Sequence, residues 1–248
     1  MISKELKAVY FIGLKDVQSY YFKPPNISWG IIFPLAMTLA FYLRNPRGMI
    51  DLIPGLLGMT ILFGSTSMEA VVITFERRLG SFERLLLAPV SLEGVLAGKI
   101  LGGAFFGFVV SSAMLIVSLF FFSFPRFNLF FLIPSLILSA LAFSALGAFV
   151  SVAVKEVFEA QTLANLFRFP MIFLSGVFIP IESLPKPVQI ISYLLPLTYS
   201  VELLRNSLLS SHTSIPFWIS LLILIAFSSF FYLASVRVLK KRLGWGYA

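Results

Sequence analysis

"GSFERLLLAPVSLEGVLAGK", residues 80–99, is a compact polar interruption between two long apolar runs. Gly80 can end an incoming helix, Ser81 can cap a short new one, and Pro89 can stop it. Ser91 can then cap the next helix, with Glu93 in its first turn, where the helix dipole favours an acid. The stretch therefore predicts a surface helix over 81–89 joined at both ends to apolar segments. Phe82, Leu85 and Leu86 would form its apolar face, with Glu83 and Arg84 at the rim. A piece tied at both ends passes a push to two segments at once; the plainer alternative is an interfacial elbow without a partner.

The rest of the chain fixes the solvent. Of 248 residues, 58% are hydrophobic and 12% charged, with a mean hydropathy of +0.95. Soluble domains carry about 25% charged residues, so most of this chain is built for lipid. With no cysteine and a lone histidine, His212, the sequence offers no disulfide, thiolate site or histidine cluster for a metal. The net charge of +8 is distributed as in a membrane protein with basic loops rather than a nucleic-acid binder.

Charge-poor runs place spans at 27–43, 50–75, 100–124, 128–154, 160–179 and 216–236. Each can cross a core that needs about 20 helical residues, with tilt and ragged ends allowed for. The segment 187–201, broken by Pro196, is the uncertain seventh. With six spans, fourteen of the nineteen Lys and Arg residues fall on one side, the "RVLKKR" tail included. The positive-inside rule makes that side cytoplasmic and puts both termini there; a seventh span would export the tail. The expected fold is thus an all-α membrane protein, a single transmembrane domain over 1–248 in the cell (inner) membrane.

Residues 1–24 lack the cleavage pattern of a signal peptide. As a helix they gather Leu6, Val9, Tyr10, Gly13, Val17 and Tyr20 on one face, opposite Lys4, Lys7, Lys15 and Gln18, which reads as an interfacial helix in contact with membrane lipid. Residues 119–131, with seven phenylalanines around Pro125 and Arg126, read as a hairpin at the outer interface. Five prolines between 170 and 196 (Pro170, Pro180, Pro185, Pro187, Pro196) forbid a continuous helix there. Broken helices survive at membrane depth only where protein or a wet cavity satisfies their backbone, which fits two short re-entrant helices within 180–205.

Glu69 and Arg168 are intramembrane charges and so functional candidates. Measured from Phe75 and Ala160, they stand about 9 and 12 Å into the membrane at 1.5 Å per residue, a similar depth that allows them to neutralise one another; the alternative is that each snorkels to the headgroups. Gly98, Gly102, Gly103 and Gly107 in the third span and Ser144, Ala145, Gly147 and Ala148 in the fourth allow close helix approach, which favours packing of these two spans on each other, with a dimer seam as the alternative. "GVLAGKI" at 94–100 imitates a phosphate-binding loop but is one residue short and lacks the Ser or Thr that follows the lysine.

Two motifs carry a resemblance to a known family. "ERRLGSFERLLLAPVSLEGVLAGK" resembles the cytoplasmic signature of type 2 ABC-transporter permeases through Glu76, Gly80, Ser81, Glu83, Leu85, Leu86, Pro89, Gly98 and Lys99. "FLSGVFIPIESLPKPVQIISYLLPLTYSVELLRN", 173–206, is similar to the family's motif between the last two spans, with Ser175, Gly176, Pro180, Glu182, Pro185, Pro196 and Arg205 in order.

The resemblance implies two copies of the permease, a homodimer, paired with two cytoplasmic ATPase subunits. The 81–89 helix would be the coupling helix, seated in an ATPase cleft by Phe82, Leu85 and Leu86. Ser175, Gly176, Pro180, Glu182, Pro185 and Pro196 would belong to an outer gate. No cofactor is expected in this chain; ATP and magnesium would sit on the partner, so the chain itself is no enzyme. Few charges in the spans favour a hydrophobic or amphipathic cargo, whether drug, lipid or lipid-linked saccharide. The competing readings are a channel or membrane-embedded enzyme without an ATPase, which would need recurrent polar faces or convergent acids and histidines.

Overall fold

The computed structural model describes residues 2–21, 32–44, 48–125, 127–209 and 214–244; these form helices joined by short turns and extended links, with no strand among them. The expected span at 27–43 and the hairpin at 119–131 lie partly outside the described residues, as do Lys23, Arg126 and His212.

Helix α1 (Ile2–Asp16) runs into a π-helical turn (Val17–Tyr21), and α2 (Phe33–Arg44) is a short apolar helix. Helix α3 (Met49–Arg78) leads to the six-residue α4 (Ser81–Leu86) and then to α5 (Leu92–Phe121). Helices α6 (Leu129–Ala153) and α7 (Val157–Leu174) follow, then a 3-10 turn at Ile181–Ser183. The chain closes with α8 (Lys186–Tyr193), α9 (Pro196–Leu208) and α10 (Phe217–Arg242). Among the described residues, α3, α5, α6 and α10 are long and apolar enough to cross a membrane.

Helix α3 is the axis. It packs against α5, α6, α7 and α9 and is almost entirely buried. A helix sheathed in protein can carry polar residues that a lipid-facing one cannot, and Thr60, Ser65, Thr66, Ser67, Glu69 and Thr74 all lie buried on it. Thr60 and Thr74 return their hydroxyls to the carbonyls four residues back, each at 2.8 Å, as Thr does in apolar helices. The lipid-solvated surface falls to the outer faces of α5, α6 and α10, where Phe105, Ile133, Ile137, Leu222 and Phe230 are exposed.

One expectation about packing is corrected in part: the α5 glycines do not all face α6, although Gly103 does, where a β-carbon would lie 2.6 Å from Ser144 Oγ. A β-carbon on Gly98 would lie 2.7 Å from the Val9 carbonyl oxygen, and Gly102 lies against Gly13, so these two seat α1. Gly107 lies against Ser65 of α3, and the direct α5–α6 link is Ser144 Oγ donating to the Ile100 carbonyl at 2.7 Å. Helix α1 turns Ile12, Gly13 and Asp16 inward, where Gly13 meets α5 and Asp16 finds its cation, and it leaves Leu6 and Tyr10 of the expected apolar face exposed, as a lipid-facing side would be.

Candidate functional site

The elbow between α3 and α5 is built by local backbone chemistry. Helix α3 closes with Leu79 N–H on the Phe75 carbonyl (3.1 Å) and Gly80 N–H on the Arg77 carbonyl (3.2 Å). Gly80 then adopts φ +68°, a left-handed conformation that costs a β-carbon-bearing residue roughly 1–2 kcal/mol. Ser81 does not cap α4 as expected. Gly80 occupies that position, and Ser81 Oγ donates back to the Glu76 carbonyl at 3.2 Å, binding the elbow to the helix before it. Ser91 does cap α5: its Oγ accepts from Gly94 N–H at 3.0 Å. The same hydroxyl donates to Glu5 of α1.

The face that α4 turns inward is the one expected to grip a partner. Phe82 is buried in a cluster with Ile12, Ile73, Leu92, Val95 and Leu96, and Leu85 and Leu86 are half-buried against it. Burying the largest apolar side chain against the protein's own core removes more surface from water than leaving it for a partner. What remains outside is Glu83, Arg84, Leu87, Ala88 and Pro89, with Leu87 87% exposed.

Behind Phe82 lies a buried ion network. Lys99 Nζ donates to Asp16 Oδ2 at 2.9 Å and to Glu76, and passes 6.0 Å from the centre of the Phe82 ring. Lys15 completes the square, 2.8 Å from Asp16 Oδ1 and bonded to Glu76. Burial pulls Lys15 down, but the carboxylates of Asp16 and Glu76 outweigh it and hold the ammonium above its ordinary pKa. The side chains of Lys99, Asp16 and Glu76 are essentially inaccessible. A buried charge is tolerable only when paired and hydrogen-bonded, so this network locks α1 to α3 and α5 one turn from the elbow.

Other helix ends converge here. Arg77 donates to the Ser151 and Val154 carbonyls at 3.1 and 3.3 Å, and Arg242 to Val154 and Ala153 at 2.8 and 2.6 Å. Both cations thus satisfy the unpaired carbonyls at the end of α6. Lys240 of α10 pairs with Glu93 of α5 at 2.6 Å. A push on α4 therefore meets α1, α3 and α5 as one connected body, with α6 and α10 tied to it.

Glu69 and Arg168 are not brought together. Glu69 accepts a hydrogen bond from Tyr21, the last residue of the π-helical turn after α1, and lies against Gly103 of α5. Arg168 lies over Phe63 of α3 and donates to Asn165. No ion pair joins them.

At the opposite end of the molecule, α7 closes at Ser175, and Gly176 turns the chain with φ +76°. Arg205 Nη2 donates to the Gly176 carbonyl at 3.1 Å while Nη1 holds Glu202 at 2.7 Å. Glu202 in turn accepts from Ser214 N–H at 3.0 Å. Pro180 and Pro185 cap the 3-10 turn and α8, and Pro196 opens α9, each where a missing N–H costs nothing. The two short helices are unequal. Helix α8 is mostly exposed, whereas α9 is deeply buried against α3, α6 and α10, with Ser200 Oγ donating to Ser139 at 2.7 Å. A pocket of about 370 Å³ opens here, bordered by Asp51, Phe178, Glu182 and Arg205.

Comparison with known sequences names the architecture: residues 7–209 match the family described as ABC-2 type transporter. The chain belongs to that family. The permease is 30% identical to nodulation protein J of Sinorhizobium fredii over 217 residues, covering 83% of this chain and 81% of that protein. It is 27% identical over 193 residues to the inner membrane transport permease YadH of Escherichia coli (78% and 75% covered). It is also 27% identical over 239 residues to the probable multidrug ABC transporter permease YbhS of Escherichia coli, with 94% of this chain but 57% of that protein covered. This chain is therefore a multi-pass membrane permease of an ABC transporter.

Within the permease, the structure brings Glu76, Lys99 and Phe82 together at one end and Gly176, Pro180, Glu182 and Arg205 at the other. Sequence reasoning missed Asp16 as part of the elbow network and Tyr21 as the partner of Glu69. The available signal for Asp16 was its place with Glu5 and Ile12 on one stripe of α1, where an acid amid apolar neighbours asks for a buried cation.

Proposed function

We propose that this permease is the membrane half of an ATP-driven exporter, two copies working with two cytoplasmic ATPase subunits that carry the ATP and magnesium. Helices α2, α3, α5, α6, α7 and α10 are its six crossings, α4 is the coupling helix, and both termini are cytoplasmic. The observation that carries this reading is the elbow. A six-residue helix, anchored inward by Phe82 and backed by the Asp16–Lys99–Glu76–Lys15 network, leaves Glu83, Arg84, Leu87 and Pro89 outward for a partner. The docking face is this outward set rather than Phe82, Leu85 and Leu86.

Sidedness is supported by charge. The last turn of α10 carries Lys240, Lys241 and Arg242, and its pairing with Glu93 and the end of α6 gathers the basic clusters at the elbow end, as the positive-inside rule requires of a cytoplasmic face. On this reading the α8–α9 region is the outer gate, where the Arg205 bridge between Gly176 and Glu202 joins the end of α7 to α9. The cargo is hydrophobic or amphipathic, moved outward.

The test is ATPase activity. The permease co-purified with its ATPase and reconstituted in lipid is expected to show hydrolysis that Leu87→Glu uncouples while the complex still folds. Full substrate movement in liposomes containing the permease alone would refute the reading.

A further inference from the structure

Arg168 lies about two-thirds of the way along α7, about 16 Å from Val157 at 1.5 Å per residue, and its side chain is fully buried. Nη1 donates to Asn165 Oδ1 at 3.1 Å, and the guanidinium carbon sits 5.3 Å from the centre of the Phe63 ring. Nε and Nη2 have no partner among the described residues. A guanidinium cannot shed its charge as a buried lysine can. An orphaned cation at mid-span is a costly feature that calls for an anion.

The chain itself does not supply one. All eleven of its acids are among the described residues. Asp16, Glu69, Glu76, Glu93, Glu156 and Glu202 are each held by another side chain. The other five are exposed, in the first turns of α1, α3, α4 and α7 or in the 3-10 turn. A second copy of the same chain brings the same acids at the same helix ends, so it has none to offer at this depth either.

The surroundings define the rest of the ligand. Phe63 packs against Phe33 and Phe169 with ring centres 5.0 and 6.4 Å apart, and beyond them Leu166, Phe169 and Phe173 expose an apolar face of α7. Pro170 stands two residues from Arg168 and removes the N–H that would bond the Leu166 carbonyl, so α7 is weakest at the turn that must yield to admit a group. One fixed cation amid aromatic and aliphatic walls suits a molecule with one charged end and an apolar body.

We propose that Arg168 recognises a single negative charge on the transported molecule, so that the cargo is an anionic amphiphile bearing a phosphate, sulfate or carboxylate. This rests on the transport reading above and narrows its substrate class. The guanidinium's two open donors take the oxyanion in charge-assisted hydrogen bonds, and Phe63 fixes the plane in which they point.

The test is equilibrium binding of radiolabelled dodecyl phosphate to the intact permease in nanodiscs of zwitterionic lipid. Saturable binding is expected, displaced by unlabelled dodecyl phosphate or dodecyl sulfate but not by dodecyl maltoside or inorganic phosphate. Arg168→Gln should weaken it about tenfold or more, and Arg168→Lys, which keeps a charge but loses the fork, should fall between. Thermal unfolding of each variant identifies any that fails to fold, and the lysine variant then carries the comparison. Equal affinity in the wild type and both variants, or equal displacement by dodecyl maltoside, overturns the proposal. Displacement by inorganic phosphate alone overturns it in favour of a bare ion site, and loss of binding in phosphatidylglycerol discs in favour of a lipid-headgroup site. Whether an ATPase co-purifies is read on the same preparation, so a failure of the transport reading is seen separately.

Discussion

Replacing Lys99 by methionine tests the elbow's inner lock. The substitution keeps the length of the side chain but removes the ammonium that bonds Asp16 and Glu76, leaving two inaccessible carboxylates to share Lys15. Removing one partner of a buried ion pair costs about 3–5 kcal/mol, because the other charge stays behind uncompensated. Lys15 is partly exposed and already bonded to both acids, so the loss belongs near 3 rather than 5 kcal/mol. The double variant Asp16→Leu/Lys99→Met retains the neutral Glu76–Lys15 pair and buries apolar groups in place of the lost charges. It should recover about 2 kcal/mol relative to the sum of the single variants. Denaturant unfolding in mixed micelles reads the stabilities, and amide exchange over 2–21 reads whether α1 has come loose. A Lys99→Met protein within about 1 kcal/mol of wild type, or a double variant whose loss equals the sum, would refute the reasoning.

Other consequences divide structural from transmitting residues. Phe82→Ala should cost about 3–5 kcal/mol in the same unfolding assay because it empties a packed core site. Leu87→Ala should change stability by less than about 0.5 kcal/mol yet reduce coupled ATPase activity. Gly55→Ala would place a β-carbon 2.3 Å from the Val177 carbonyl oxygen and should destabilise by about 1–3 kcal/mol, with changed exchange confined to 175–180. Ser91→Ala removes the cap of α5 and should cost about 1 kcal/mol, visible as faster exchange at Gly94.

Much of the architecture is legible in the chain because lipid enforces simple patterns. The charge-poor runs expected at 50–75, 100–124, 128–154 and 216–236 are helical over Met49–Arg78, Leu92–Phe121, Leu129–Ala153 and Phe217–Arg242. Ser91 announces its helix through local hydrogen-bonding chemistry alone.

What escapes is rotation about a helix axis. Glu69 and Arg168 were matched by depth, but Glu69 lies six residues after Phe63, about 240° further round the helix. One therefore faces α5 and the other α7. The same blindness applies to Phe82. A six-residue helix with apolar and charged faces has no internal mark saying which side meets the body of its own protein. The partner of Asp16 is hidden for another reason: the stripe of α1 shows that the acid needs a cation, but Lys99 lies 83 residues away, and only the fold makes them neighbours.

The central claim is that the outward face of α4 is held by a cytoplasmic ATPase. Since the chain has no cysteine, a single cysteine at position 87 can be cross-linked without background in the purified complex. A cross-link from Leu87→Cys to the ATPase that depends on nucleotide state is expected, and none from Phe82→Cys. Labelling of position 87 from outside the cell, or its silence in a complex with the ATPase bound, would contradict it.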